Sequence, residues 1–228
     1  MALGQALGVL QVRGGSNKAR QPNAALAHPA DMKRRLTVTM AEYIALALAN
    51  LRLQETLRSQ SIQDPLTGLF NRRYLEETLR RELESCERNR LSLGVIVCDI
   101  DHFKQVNDSL DHNAGDAVLR ALGDALASSL RGGDIPCRYG GEEFVLVLPG
   151  ASLPDTYQRA EQIRETIKGR QLAYRGQAAG PVTISLGVAA FPDHGTTWET
   201  LFHAADAALY RAKAGGRDRA LMAGSGAG

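Results

Sequence analysis

The stretch LSLGVIVCDIDHFKQVND, residues 91–108, decides the fold of this chain. Residues 91–100 are almost all apolar, which predicts a strand that is buried on both faces. Asp99 and Asp101 stand at its end, and because side chains alternate along a strand, these two carboxylates share one face. Buried carboxylates are costly unless they bind something positive, and hard oxygen ligands suit Mg²⁺ or Mn²⁺. We therefore expect a metal site where this strand ends.

Helices and strands alternate on both sides of this stretch. Asn71 is a suitable N-cap for a helix over 71–89. Further elements are predicted by pattern, namely helices near 114–130, 153–169 and 198–214 and strands near 135–139, 142–148, 181–190 and 219–222. This order predicts an α+β fold with a mostly antiparallel, ferredoxin-like sheet flanked by helices.

The residues before this region divide into two segments. Residues 1–34 are rich in Gly, Ala, Asn and Pro, and two interpretations stay open: a disordered leader or the remnant of a sensor domain. Residues 35–63 contain neither Gly nor Pro and are rich in Ala and Leu, which predicts a long helix. Asp64-Pro65 ends that helix, because proline disfavours helical backbone at the preceding residue.

The long helix carries a repeat with spacings of three and four, which predicts the a/d seam of a two-stranded coiled coil. The seam consists of Tyr43, Leu46, Asn50, Leu53, Leu57 and Gln60. Asn50 at an a position would fix the register of the two strands. A second apolar line through Ile44, Leu48 and Leu51 leaves an alternative, in which the helix packs on its own domain.

Composition limits the classes of function. The formal net charge of the 228 residues is +2, which gives no global electrostatic case for nucleic acid or an anionic membrane. Cys86, Cys98 and Cys137 have no regular spacing, which argues against a disulfide framework and a zinc site. We find no run of about 18 apolar residues, so no membrane span is expected. The start, MALGQALGVLQV, is a poor signal peptide. We expect a cytoplasmic protein without a membrane segment.

A second stretch with chemical content is RYGGEEF, residues 138–144. Gly140-Gly141 between two apolar strands predicts a tight turn, and the lack of a Cβ lets a bulky anion approach the backbone. Glu142 and Glu143 follow directly. If this hairpin pairs beside the Asp99 strand, the carboxylates converge, and a metal held there could clamp a triphosphate. Each motif alone is an ordinary structural feature, so the combination carries the argument.

Five segments in order resemble the GGDEF family of diguanylate cyclases, over about residues 62–222. They are DPLTGLFNRRYL (64–75), DIDHFKQVND (99–108), RYGGEEF (138–144), VTISLGVA (182–189) and AADAALYRAKAGGRDR (204–219). The third is similar to the family's signature hairpin, in the variant with Glu in third place. The resemblance implies a palm-like nucleotide cyclase domain over 64–228, preceded by a signalling helix. It also implies an enzyme that condenses two GTP into cyclic di-GMP and two pyrophosphates as a homodimer.

The resemblance further implies a role for each matching residue. Asp99, Glu142 and the Ile100 carbonyl would hold Mg²⁺ or Mn²⁺. Glu142 or Glu143 would help to deprotonate the attacking ribose hydroxyl, and the sequence leaves the choice open. The expected substrate contacts are Phe103, Lys104, Asn107, His112, Asp116, Gly140, Gly141, Lys213 and Arg217. Asn107 and Asp116 would bind guanine, because a carboxylate accepts from its N1 and N2 hydrogens.

Two positions outside this set carry predictions of their own. Asp111 stands where the family usually has Gly, and we expect the loop to tolerate it because Asp enters the left-handed region more readily than most residues. Arg131 and Asp134 match the family's R-x-x-D product-inhibition site, where an Arg fork can pair with guanine. The same segment also suits a helix end, with Gly132 and Gly133 as C-cap residues. Both interpretations can hold at once.

Three other functions compete with a diguanylate cyclase. A nucleotide-binding module without catalysis is disfavoured because every matched catalytic position is chemically competent. A structural dimerisation protein does not explain acids at strand ends. A cyclase of another nucleotide is disfavoured only by Asn107 and Asp116, through the resemblance.

Overall fold

The computed structural model describes residues 29–109, 112–174 and 177–224. The chain divides into two units, one up to Ser61 and one from Ile62 onward. Helix α1, Pro29–Ile62, makes up the described part of the first unit and ends at the first residue of the second. The second unit contains β1 Phe70–Asn71, α2 Arg72–Asn89, β2 Leu93–Ile100, α3 Phe103–Ser109, α4 His112–Ser129, β3 Ile135–Gly140, β4 Glu143–Pro149, α5 Leu153–Lys168, β5 Gln171–Tyr174, β6 Gln177–Pro181, β7 Ile184–Phe191, α6 Trp198–Ala214 and β8 Ala220–Met222.

The predicted α+β fold is confirmed. Six strands form one sheet in the order β1-β3-β4-β2-β7-β8. The central pairs β3–β4, β4–β2 and β2–β7 are antiparallel, in the strand order of a ferredoxin-like domain. The edge pairs β1–β3 and β7–β8 are parallel, so the whole sheet is mixed rather than antiparallel throughout. β5 and β6 form a separate hairpin.

The strand β2 is buried on both faces because helices cover both sides of the sheet. Ile96, Cys98 and Ile100 belong to a core that α4 and α5 complete. Val95 and Val97 belong to a second core, with α2 and α6. Since side chains alternate, the odd-numbered positions of β2, including Asp99, face the side of α2 and α6. This explains why an uninterrupted apolar run is required there.

Side-chain caps start the helices where the sequence offers them. The Asn71 side chain accepts a hydrogen bond from the Tyr74 N–H at 3.0 Å, which confirms the predicted N-cap of α2. Ser152 caps α5, and Thr197 and Thr200 form a reciprocal capping box at α6. Each cap satisfies N–H groups that the first helical turn cannot.

Helix α1 begins before the predicted start at residue 35 and carries an exposed apolar surface. Tyr43, Leu46 and Leu53 are 57–70% exposed, while the side chains of Leu57 and Gln60 lie outside the described part of the chain. Met32–Leu53 contains an 18-residue window with a mean hydropathy of 1.3, and its 22 residues are long and apolar enough to cross a membrane by length and composition alone. The expectation that no such stretch exists was therefore wrong, although one such helix is weak evidence for a span.

Candidate active site

Asp99 lies at the centre of the candidate site, near the end of β2. It pairs with Glu143 of β4 on one side and with Ser185 of β7 on the other. Its side chain is 9% exposed, and Lys213 of α6 places its Nζ 2.8 Å from Asp99 Oδ2. Burial raises the pKa of the Asp99 carboxyl, the ion pair with Lys213 opposes that rise, and the nearby Glu142 and Glu143 add to it. The site is thus a crowded set of acids with one compensating cation.

The signature hairpin brings its acids to the same end of the sheet, as the sequence predicts. Gly140 pairs with Glu143, so Gly141 and Glu142 form the two-residue turn. Gly141 has a φ of +53°, a conformation that L side chains rarely adopt. A Cβ added at Gly140 or Gly141 would meet no atom within 4 Å, so the glycine backbone faces open space. Glu142 is half-buried and Glu143 is exposed.

Arg138 ties this turn to the start of the domain, a contact that sequence analysis missed. Its Nε and Nη2 donate to the Gly141 carbonyl oxygen at 3.0 and 2.9 Å. Its Nη1 lies 3.2 Å from both carboxylate oxygens of Asp64. Asp64 also accepts from the N–H and the hydroxyl of Thr67. The motifs 64–75 and 138–144 are therefore one structural unit, joined by an ion pair.

The carboxylate oxygens at this site are the type of ligand that a divalent metal such as Mg²⁺ prefers. Among the described residues, no group of three or more His, Cys, Asp or Glu side chains has the arrangement of a complete metal cage. Mg²⁺ does not demand one, because it keeps several waters and is bound by one or two carboxylates together with substrate phosphates. Asp99 and Glu142 interact closely enough for Glu142 to raise the Asp99 pKa. Two carboxylates beside a turn whose glycine backbone faces open space fit this mode of binding.

Asp101 has a different environment from Asp99, although the two share a face. Its carboxylate is buried and accepts hydrogen bonds from Thr183, Ser185 and the main-chain N–H of Asp218. The cost of burying this carboxylate is thus met by protein donors. The sequence-based pairing of Asp99 with Asp101 as metal ligands is not supported for Asp101.

The predicted guanine-binding residues lie together where α3 meets α4. A Cβ on Gly115 would lie 1.9 Å from Asn107 Oδ1, so the Asn107 side chain packs directly against the residue before Asp116. Asp116 is partly exposed and lies 3.6 Å from Arg120. Gly115, which the sequence analysis did not single out, makes this approach possible.

The segment between β2 and α4 contains three further predicted contacts. Phe103 is buried in the core, so its side chain is not available to a triphosphate. Lys104 is exposed at the start of α3. Asp111 and the side chain of His112 lie outside the described residues, so the prediction about this loop stays a prediction.

Lys213 and Arg217 lie at the end of α6 and in the turn that follows. Lys213 reaches the site through its ion pair with Asp99. Arg217 is exposed and has a φ of +61°. The structure therefore brings Lys213 to the acids directly, while Arg217 depends on the conformation of its turn.

Arg131 and Asp134 form a local turn between α4 and β3. The Asp134 carboxylate accepts from the Arg131 N–H at 2.9 Å, and the Asp134 N–H donates to the Arg131 carbonyl at 3.0 Å. The Arg131 side chain is exposed. Neither Gly132 nor Gly133 has a positive φ, so the left-handed glycine C-cap is not what ends α4.

Comparison with known proteins identifies the class of this domain. Residues 61–219 match the family model of the diguanylate cyclase GGDEF domain. The chain therefore belongs to the GGDEF domain family, as its motifs indicate.

Individual relatives support this assignment. The chain is 42% identical over 159 residues to the response regulator PleD of Caulobacter vibrioides, covering 69% of this chain and 35% of that protein. It is 42% identical over 169 residues to the diguanylate cyclase DgcP of Pseudomonas aeruginosa, covering 74% of this chain and 25% of that one. The chain thus spans about a quarter to a third of the length of these relatives.

Among solved structures, the coiled coil and GGDEF domain of DgcB from Caulobacter crescentus, in complex with c-di-GMP, matches with a TM-score of 0.74. Sequence identity is 30%, over 82% of this chain and 99% of that one. The active GGEEF domain of a diguanylate cyclase from Vibrio cholerae matches with a TM-score of 0.63 and 30% identity, over 68% and 98% of the two chains.

Proposed function

We propose that this protein is a diguanylate cyclase, which condenses two GTP molecules into cyclic di-GMP and two pyrophosphates. The observation that carries the proposal is the convergence of Asp99, the Gly141-Glu142 turn and Lys213 at one end of the sheet. Carboxylates, an open glycine backbone and a cation are the three components that a triphosphate and its metal require. Curated relatives that are named diguanylate cyclases support the same activity.

In the proposed mechanism, each protomer binds one GTP. The 3′-hydroxyl oxygen of each GTP attacks the α-phosphorus of the other. Each attack breaks the bond between that phosphorus and the α–β bridging oxygen, so one pyrophosphate leaves per attack, and each hydroxyl proton passes to Glu142 or Glu143. Lys213 and Arg217 neutralise the triphosphate, and the exposed start of α3 at Lys104 flanks it. Mg²⁺ or Mn²⁺, held by Asp99, Glu142 and the Ile100 carbonyl, would stabilise charge on the phosphate oxygens and lower the hydroxyl pKa.

Guanine selectivity is assigned to Asn107 on α3 and Asp116 on α4, with His112, the first residue of α4, as a further contact. The Asp116 carboxylate can accept from N1–H and the N2 amino group, which adenine does not offer. The packing of Asn107 against Gly115 supports this assignment, because Gly115 directly precedes Asp116 in the chain. Gly140 and Gly141 leave room for the phosphates.

The reaction requires two active sites that face each other, so we propose a homodimer. The apolar seam of α1, with Tyr43, Leu46, Asn50 and Leu53, would bring two copies together as a coiled coil. Glu42 lies near the middle of the stretch that is long enough to span a membrane, and a carboxylate is unfavourable there. A coiled coil and a cytoplasmic location fit this sequence better than a membrane helix does.

Product inhibition at Arg131 and Asp134 is a further part of the proposal. The exposed Arg131 side chain is available to a guanine, whereas the Asp134 carboxylate already accepts the Arg131 N–H. Arg131 is therefore expected to contribute more than Asp134 to binding the product. The alternative function is a catalytically weak module that binds a nucleotide or cyclic di-GMP without turning it over.

Incubation with GTP and Mg²⁺, with products resolved by chromatography, tests the proposal. We expect cyclic di-GMP and pyrophosphate from the wild type and almost none from Glu142→Ala or Glu143→Ala. Both variants should still fold, because Glu143 is exposed and Glu142 is only half-buried in a turn. Glu77→Ala, at an exposed position of α2, is the control and should leave turnover unchanged. Binding of GTP without any product in the wild type would favour the binding module instead.

A further inference from the structure

A set of polar contacts beside the active site involves residues that the mechanism above does not use. The Asp101 carboxylate is 5% exposed and accepts three hydrogen bonds. The donors are Thr183 Oγ1 at 2.8 Å, Ser185 Oγ at 2.7 Å and the main-chain N–H of Asp218 at 3.0 Å. Asp101 thus joins the end of β2 both to the start of β7 and to the turn after α6.

That turn, residues 215–219, has an unusual backbone. Gly216, Arg217 and Asp218 have φ values of +113°, +61° and +46° in succession. Two consecutive non-glycine residues in the left-handed region are unfavourable and persist only where the surroundings hold them. The Arg217 N–H donates to the Ala212 carbonyl at 3.0 Å, which turns the chain back onto the end of α6.

Helix α5 holds the same turn from the other side. Arg164 Nη1 lies 2.7 Å from Asp218 Oδ1, and Lys168 Nζ lies 2.6 Å from Asp218 Oδ2. Burial raises the pKa of the Asp218 carboxyl, but hydrogen bonds from Lys168 and Arg164 outweigh it and leave the pKa below its usual value. Glu161 accepts from Arg164 and from the Ala220 N–H at 3.0 Å, so this group also fixes the start of β8.

We propose that Asp101 and Asp218 are positioning residues that hold the turn 215–219, and through it Arg217, where Arg217 binds the triphosphate. This inference rests on the proposed function, because that function assigns Arg217 to GTP. Charge and positioning predict opposite effects on GTP binding when Asp218 loses its carboxylate. Removing a carboxylate near a phosphate site strengthens the attraction of the site for GTP, whereas loss of positioning weakens binding.

A double-mutant cycle tests whether Asp218 acts through Arg217. Asn suits the left-handed region and keeps the main-chain N–H that donates to Asp101. Asp218→Asn therefore weakens only the contacts to Arg164 and Lys168, because the amide is uncharged and has one acceptor oxygen instead of two. We expect the KM for GTP to rise roughly three- to tenfold with kcat within about twofold. In an Arg217→Ala background the same substitution should change KM by less than about twofold.

Several outcomes of this cycle would overturn the inference. A lower KM in Asp218→Asn would mean that charge dominates, and an equal rise in both backgrounds would mean that the effect does not pass through Arg217. Asp124→Asn, an exposed carboxylate on α4, is the matched control for loss of one negative charge. A shift in the control as large as in Asp218→Asn would also overturn the positioning role.

Asp101 is tested by removal and by conservative replacement. Asp101→Ala leaves the Asp218 N–H without its acceptor and should raise KM as Asp218→Asn does. Asp101→Asn should restore a near-normal KM, because its oxygen can accept from Asp218 while the Ser185 hydroxyl turns to accept from the amide. If Asp101→Ala does not fold, Asp101→Asn and the double-mutant cycle still test the role of Asp101. A KM of Asp101→Asn as high as that of Asp218→Asn would contradict the assignment.

Failure of the proposed function is distinguishable from failure of this inference. Calorimetric binding of a GTP analogue with a methylene group between the α- and β-phosphorus atoms reports on positioning without turnover. If the wild type binds this analogue but makes no cyclic di-GMP, the proposed function is wrong. If the wild type makes product and Asp218→Asn binds the analogue as tightly as the wild type does, only the positioning role is wrong.

Discussion

Replacement of Arg138 by lysine tests whether the signature turn is held from outside. Arg138 uses a planar fork to contact two acceptors, the Gly141 carbonyl and the Asp64 carboxylate. Lysine keeps the charge but has a single ammonium group, so it cannot reproduce both contacts. Arg138→Lys therefore separates the geometry of this tether from its charge.

The expected magnitude follows from the contacts that are lost. A hydrogen bond that involves a charged group contributes about 1.5–3 kcal/mol, which we discount to about 1–2 kcal/mol because both side chains are partly solvated. For a domain of this size, this corresponds to a fall in Tm of about 2–8 °C. The effect on kcat should be larger in proportion, about 10- to 100-fold, because a displacement of about 1 Å can misplace Glu142.

The assay is cyclic di-GMP formation at saturating GTP, together with thermal unfolding of the same preparations. Asp64→Asn is the matched control, because it weakens the other end of the tether while the contacts between Arg138 and Gly141 remain. We expect a similar loss of stability from this control and a clearly smaller loss of kcat. If Arg138→Lys lowers Tm but leaves kcat at the wild-type level, the tether supports the fold alone and the reasoning is refuted.

Three other predictions follow from the geometry. Burial raises the pKa of Asp64, but hydrogen bonds from Thr67 and Arg138 outweigh it and leave the pKa below its usual value. The Tm advantage of wild type over Asp64→Asn should therefore be full at neutral pH and shrink as the pH falls below the usual pKa of an aspartate. A Tm difference independent of pH would contradict this. Deletion of residues 1–60 should make specific activity rise steeply with protein concentration, because α1 supplies effective concentration; equal activity at low concentration would exclude the coiled coil. Arg131→Ala should weaken product inhibition by about 5- to 150-fold, equivalent to about 1–3 kcal/mol, and overlapping inhibition curves would leave Arg131 as part of a turn.

The elements that sequence analysis predicted correctly are those with a strong local pattern. β2 is an uninterrupted apolar run, and α2 begins at an N-cap that is visible in the sequence. β1 has only two residues, too few for any periodicity, and its pairing with β3 is decided by tertiary contacts. The hairpin of β5 and β6 was also not predicted, except that the strand predicted near 181–190 begins at Pro181, the last residue of β6.

The candidate site was predicted to a similar extent and for a similar reason. Motifs located Asp99, Glu142 and Lys213, because each stands in a segment of recognisable composition. The role of Arg138 was invisible, since its partner Asp64 is 74 residues away. The packing of Asn107 on Gly115 was also invisible, because only the backbone path of α3 and α4 brings them together. Sequence patterns report residue types, whereas such contacts depend on the fold.

The pair Asp99 and Asp101 shows how the fold separates two residues that the sequence presents alike. Both lie on one face at one strand end, and both are nearly buried. Asp101 is surrounded by two hydroxyls and a main-chain N–H, which together satisfy its carboxylate without a cation. Asp99 is instead paired with the ammonium group of Lys213, which stands on a long flexible side chain, and the acids Glu142 and Glu143 are nearby. A carboxylate whose partner is a flexible cation can exchange that partner for a metal, whereas one held by fixed neutral donors cannot do so without loss of the surrounding structure. The difference in partners, rather than the acidic motif itself, is what supports the proposed metal binding by Asp99 and the proposed positioning role of Asp101.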